Sequence, residues 1–517
     1  MSATPLTTYI GWLLRTNRRL GPNPSLRSGQ EFARAFRRDG ERPLAPSQIT
    51  RWEKGALPVG RPTIRRYEQL LGLPTESLVT ISDAALRTIP GPGRRSAPVD
   101  QPTVVAPPTE ELHDLLDRAA DPGGAMTGVS WGKLTDLIGA QPALVLHPPK
   151  LWQDIAEQLL MELTIAQNTA WLQRNEAVSR LLEHPVAGPF LVAACIALAE
   201  DPSSPVVIEP LALLSVTAHP DANRYVLSQL ERPATERACY GALLAAVHKI
   251  RHGHFQTELA RVVACIGRLL ADPGLTQVLR PLVTEVASAV VRHAPGAAAR
   301  LRPPGARACR ASENPDANLG QGPGPRIAAA AQRCGPDNGT DVDDVLTDLV
   351  RMVVGGTDPD QRMIATMLIA STPYRQAVAQ ALLGEITASI ARRADDGHEI
   401  SLRALTNLRV DMHRPLLYRI LSGPAFPAQL RYNAAWAIPH CTGTFAAEQW
   451  HTILACQRAA WRSSPSGPGE GILHGLTYGL GTEGHRGVLV HIRDDPSMPS
   501  SSRMTALWLL NTVPPAQ

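Results

Sequence analysis

Apolar residues recur at helical spacing along most of the chain, and the first such stretch runs from Tyr9 to Leu20. There Ile10, Leu13 and Leu14 fall on one side of a 3.6-residue helix, while Arg15, Arg18 and Arg19 lie elsewhere. Gly21-Pro22-Asn23-Pro24 breaks this helix. Ser28 to Glu31 has the spacing of a capping box, and Phe32, Ala33 and Phe36 follow at helical intervals, which predicts a second helix. Pro46 to Gly55 predicts a third, with two chemically different faces. Ile49, Trp52 and Glu53 share one side; Ser47, Gln48, Arg51 and Lys54 gather on the other. Pro46 suits a first helical position and Gly55 a left-handed stop. Thr63 to Leu71 then repeats Ile64, Tyr67, Leu70 and Leu71 on one face before Gly72 and Pro74 end it.

These segments predict a small domain of four to five helices over residues 1–80. The polar face of Pro46–Gly55 carries a hydroxyl, an amide and an arginine, groups that hydrogen-bond base edges in a major groove. Ile49-Thr50-Arg51-Trp52-Glu53-Lys54-Gly55, with Ser28-Gly29-Gln30-Glu31-Phe32-Ala33 upstream, resembles the lambda-repressor-like (XRE) helix-turn-helix family over roughly residues 6–75. The resemblance implies double-stranded DNA as partner, the helix from Pro46 as the reading helix, and the helix from Ser28 crossing the DNA backbone. It also implies that Trp52 packs in the core and that Glu53 pairs with Arg15 or Arg18. Expected DNA contacts are Ser47, Gln48, Arg51 and Lys54, with Gln30, Arg27, Arg61 and Arg65 beside them. Two features depart from the family. The segment from Arg37 to Ala45 is longer than the simplest helix-turn-helix turn, so either the second helix runs on or this is a basic wing near the phosphates. The family's glutamine at the start of the second helix falls on Gly29, with Gln30 next to it.

Residues 81–109 read as a linker: from 88 to 109 there are eight Pro and Gly residues and almost no apolar periodicity, so the head is expected to be tethered rather than fused. From Glu110 to Gln517 helical patterns of 10 to 20 residues follow one another. Arg362 with Ala365, Leu368 and Ile369 is echoed by Arg431 with Ala434, Ala437 and Ile438, and by Arg503 with Ala506, Leu509 and Leu510; Arg237 with Leu243 and Leu244 is a looser copy. Intervals of 69 and 72 residues are each near twice a helix-pair repeat of about 35. The whole reads as all-α, with a HEAT-like helical region over 110–517, interrupted at 294–341 by a Pro- and Gly-rich stretch whose composition favours disorder.

Composition sharpens this. Aromatic content of 4% and an apolar fraction dominated by Ala, Leu and Val point away from a β-rich fold. Residues 1–72 hold thirteen Lys and Arg against five Asp and Glu, a net +8 in a chain of net +4, so the basic surface belongs to the head. Only four lysines stand against 47 arginines, so arginine abundance by itself says little. The seven cysteines are scattered without a CxxC pair, as buried thiols would be. No apolar run spans a bilayer, and a cytoplasmic protein, nucleoid-associated when bound to DNA, is expected. No phosphate loop, HExxH or GxSxG occurs, and the His252–His254 and His485–His491 groupings lack acidic or Cys partners at ligand spacing. The expectation is therefore no enzyme, no cofactor and no metal, but a DNA-binding transcription regulator. Its helical region forms a homodimer or senses a protein, peptide or small-molecule effector. The alternative is a helical-repeat interaction scaffold with a weak DNA-binding head.

Overall fold

The first five helices are Leu6–Leu20 (α1), Gly29–Phe36 (α2), Pro46–Glu53 (α3), Arg61–Leu71 (α4) and Ser77–Thr88 (α5). A computed structural model of the chain describes residues 5–36, 44–89, 109–121, 124, 126–255, 257–276, 278–298, 301, 323–334, 343–391, 398–423, 426–465 and 467–512. Ser28 Oγ accepts the Gln30 amide at 3.3 Å at the start of α2. Pro46 opens α3, and Gly55 adopts a φ of +69° just past its end, a region open to glycine without steric cost. Gly11 of α1 lies so close to that end that a Cβ there would sit 2.5 Å from the Trp52 carbonyl oxygen. A side chain at 11 would lever the two helices apart.

The fifth helix runs past position 80 to Thr88, and its start is held by a side chain from α4. Glu68, buried, accepts the backbone N–H groups of Glu76 (2.8 Å), Leu78 (2.6 Å) and Val79 (3.0 Å). These are donors a helix start leaves unpaired. Burial pushes the Glu68 carboxyl above its usual range, against the pull of the three amides.

Leu13, Phe32, Ile49, Ile64 and Tyr67 form the centre of the head, with Phe32 and Tyr67 ring centroids 4.6 Å apart and Phe36 5.7 Å from Trp52. Helix α1 is buried on more than this side. Leu14 has no exposed surface and Trp12 has 1%. Helix α1 packs on Asp344–Gly355 and Pro359–Ala370, and α5 packs on Pro359–Ala370. The Trp12 indole stacks on Tyr374, planes within 8°. Asn17 Nδ2 donates to the Ser371 carbonyl at 2.8 Å.

Residues 1–93 accordingly group with 314–510 in one compact unit, and 94–313 form another, in place of one helical region from 110 to 517 beside a tethered head. Residues 90–108, most of the expected linker, lie outside the described residues. The expected disorder at 294–341 is corrected in part: Pro295–Ala298 and Pro323–Cys334 are helical, with Ile327, Ala328 and Ala331 buried. Proline at the first turn of a helix is tolerated because its missing N–H has no intrahelical role there, so the Pro and Gly content misled. Residues 302–322 and 335–342 are outside the described set.

In the unit holding the head, helices pack on their sequence neighbours and on helices further along. Pro359–Ala370 meets His398–Asn407, which meets Ala428–Ala437, which meets Gly467–Thr482. The recurrent Arg-x-x-Ala stretches lie in Pro359–Ala370, Ala428–Ala437 and Ser500–Thr512. Ala365, Ala434 and Ala506 have no exposed surface, which lets neighbouring helices approach. Arg362 donates to the Gly356 carbonyl at 2.6 Å and Arg431 to Gln457 Oε1 at 3.1 Å.

The other unit is helical from Glu110–Ala120 to Pro295–Ala298, around one apolar cluster reaching from Leu112 to Val290. Its buried Glu162 accepts from Trp131 Nε1 (2.8 Å), the Met126 amide (3.0 Å) and Arg174 Nη2 (2.9 Å). No strand occurs among the described residues, and no helix there is long and apolar enough to cross a membrane. Cys195, Cys239, Cys265 and Cys441 are buried free thiols and Cys456 is half-buried; Cys309 and the Cys334 side chain are outside the described residues.

Candidate nucleic-acid interface

Helix α3 is fastened from beneath by an ion pair. Arg18 of α1 donates from Nε to Glu53 Oε1 at 2.6 Å and from Nη2 to Oε2 at 2.7 Å, a two-pronged contact between side chains 7% and 5% exposed. The choice between Arg15 and Arg18 thus falls on Arg18, while Arg15 Nη2 lies 3.8 Å from Asp343 Oδ2. Tyr67 Oη donates to Glu53 Oε1 at 3.2 Å, and Arg18 Nη1 also donates to the Arg27 carbonyl. Burial works against the Arg18 charge, but the hydrogen bonds and charge of Glu53 hold its pKa above the ordinary value. Burial and the adjacent carboxylate push the Tyr67 hydroxyl upward in turn, so it stays protonated and donates.

The side of α3 away from this pair is open. Ser47, Arg51 and Lys54 are exposed, and Gln48 is half-buried at the edge. Helix α3 packs on α1 and α2, through Ile49, Glu53 and the half-buried Trp52. A hydroxyl, a guanidinium and an ammonium are therefore presented together on one rigid face, with the amide beside them. Thr50, which the sequence reading passed over, is exposed at the border of this face; its spacing of three from Ser47 and four from Lys54 carried the signal.

The flanking residues divide. Gln30 and Arg27 are exposed, the latter with Nη2 3.5 Å from the Gly21 carbonyl. Arg34 of α2 is also exposed and was not singled out from sequence. Arg61 and Arg65 are engaged: Arg61 pairs with Asp83 at 2.8 Å and Arg65 with Glu76, both acids on or beside α5. They tie α4 to α5, and their charge is largely answered within the head. Arg66 caps the end of α2, donating to the carbonyls of Ala35 (2.9 Å) and Phe36 (3.4 Å). The basic segment 37–43, the candidate wing, lies outside the described residues.

His252 lies between His248 and His254, with ring centroids 6.3 and 5.7 Å away, and His485 Nε2 is 3.6 Å from Glu483 Oε2. No protein-family model, curated protein or solved structure matches the chain.

Proposed function

We propose that this chain is a sequence-specific DNA-binding transcription regulator. Its reading element is α3, and its helical body, read as a HEAT-like repeat array, pairs two chains or receives an effector. One observation carries the reading: the Arg18–Glu53 pair fixes the inner side of α3 while Ser47, Arg51 and Lys54 stand exposed on the outer side. A helix anchored by a buried charge pair and polar on its free face is equipped to enter a major groove, and an exposed arginine can bond guanine O6 and N7 together. The net +8 of residues 1–72 supplies attraction to phosphates whatever the sequence.

The test is selection of duplexes from a randomised library by the full-length chain, followed by binding curves at several salt concentrations. One shared motif is expected, with affinity falling as salt rises. Arg51→Ala should weaken binding to that motif by roughly 1–3 kcal/mol and barely alter binding to random duplex. Binding to all duplexes alike would overturn the regulator reading in favour of an interaction scaffold whose working part is the helical body.

A further inference from the structure

On the outer face of α3, the hydroxyl of Thr50 is turned inward. Thr50 Oγ1 donates to the Pro46 carbonyl at 3.2 Å, one turn back, although the residue is exposed. A β-branched side chain in a helix has two γ positions open to it. With the oxygen over the carbonyl of Pro46, the other position is left to the methyl of this exposed residue. Pro46 is itself exposed and has no N–H to donate. The outer face of α3 thus carries an apolar strip, Pro46 and Thr50, beside the polar strip of Ser47, Arg51 and Lys54.

In a major groove the apolar mark on a base edge is the C5-methyl of thymine. We propose that Thr50 reads a thymine methyl next to the guanine that Arg51 bonds, so that the preferred site carries a T·A pair beside a G·C pair. This rests on the DNA-binding reading above and adds a specificity-determining residue to it. The hydroxyl of Thr50 takes no part in base recognition; its bond to Pro46 orients the methyl.

The experiment uses the full-length chain and a duplex that it selects from a randomised library. Each thymine of that duplex is replaced in turn by deoxyuridine, which removes the methyl and leaves the pairing intact. Wild type should bind about fourfold more weakly at one such position, the equivalent of about 0.8 kcal/mol for one buried methyl-sized group. Thr50→Ser keeps the hydroxyl and should bind the thymine and deoxyuridine duplexes equally, whereas Thr50→Val should retain the preference. A wild-type chain indifferent to every replacement, a preference that survives Thr50→Ser, or one lost in Thr50→Val would overturn this proposal and leave DNA recognition standing. If no duplex is enriched from the library, both fall together.

Discussion

Trp12 Nε1 donates to Asp343 Oδ2 at 2.8 Å, joining the first helix of the chain to a residue 331 positions away. The other oxygen of the same carboxylate accepts the Val345 and Leu346 amides, both at 3.1 Å, so Asp343 caps Asp344–Gly355 and holds α1 at once. With the Tyr374 stack and the Asn17 bond to Ser371, this makes the head a fixed part of its unit. Trp12→Ala in the full-length chain should cost about 3–5 kcal/mol, the range for emptying a buried aromatic site. Hydrogen exchange should speed up in peptides covering α1 and α5 and stay unchanged between Glu110 and His293. Unaltered protection in α1 and α5 would mean that this contact does not hold the head.

The Arg18–Glu53 pair sets a second expectation. Each charge is buried against the other, so removing one leaves the other uncompensated, at roughly 3–5 kcal/mol. Arg18→Met should therefore unfold the head more readily and lose DNA binding with it, whereas Arg18→Met/Glu53→Met should recover most of the stability. Denaturant titration of the two variants decides this. A double variant as unstable as the single one would mean that packing around Arg18, not charge balance, is what was lost.

Lys249 gives an expectation in pH. It has no exposed surface, its Nζ donates to the Thr217 carbonyl (2.6 Å) and Asn223 Oδ1 (2.7 Å), and it lies 5.8 Å from the centre of the Phe255 ring. Burial lowers its pKa to about 7, against the pull of Glu258. Below pH 7 folded and unfolded chains both carry the proton, and the penalty for the buried charge is present in full. As pH rises from about 7 towards 10.5, the folded lysine is neutral while the unfolded one still binds its proton, so stability climbs, on the order of 1.4 kcal/mol per pH unit. In thermal unfolding, wild type should gain on Lys249→Met steadily between pH 7 and 10. A constant gap between the two would show that Lys249 is charged in the fold.

What the sequence announced and what it concealed have different physical origins. The ends of α3, set by Pro46 and Gly55, were readable because caps act within a few positions of themselves, whereas the pairing of Glu53 with α1, 35 positions away, was implied only by the motif resemblance, which left Arg15 and Arg18 both open. The docking of α1 was not, because Leu6, Tyr9, Ile10, Trp12, Leu13 and Leu14 together span more than one side of the helix. Periodicity picks the richest stripe and leaves Trp12 as apparent surplus. The partner that covers it, Asp343 to Tyr374, is remote in sequence and carries no complementary mark. The start of α5 was hidden for the same reason: its capping group, Glu68, belongs to another helix. On the outer face of α3, Arg51 declares itself by type, but Thr50 becomes informative only once its hydroxyl is seen bonded to Pro46.

A docked head changes what a paired protein can read. If the helical bodies of two chains associate, each α3 is carried by α1 and α5 on the helices Asp344–Gly355 and Pro359–Ala370, so the separation of the two reading helices is set by the assembly. Half-sites are commonly about 34 Å apart, one DNA turn. A flexible linker of about 20 residues would spread roughly 25 Å and tolerate several spacings; a fixed head tolerates one. Full-length protein should therefore be a dimer by light scattering and protect a two-part site. Adding about 5 base pairs between the halves, which turns one half-site to the opposite side of the duplex, should lower affinity to that of a single half-site, and adding about 10 should restore part of it. Trp12→Ala, by freeing the head, should blunt the dependence on spacing while weakening the best site. A monomeric protein that protects one half-site would remove pairing from the body's role and leave effector or partner binding as its work. A dimer indifferent to spacing would mean that the head leaves its dock when it binds DNA.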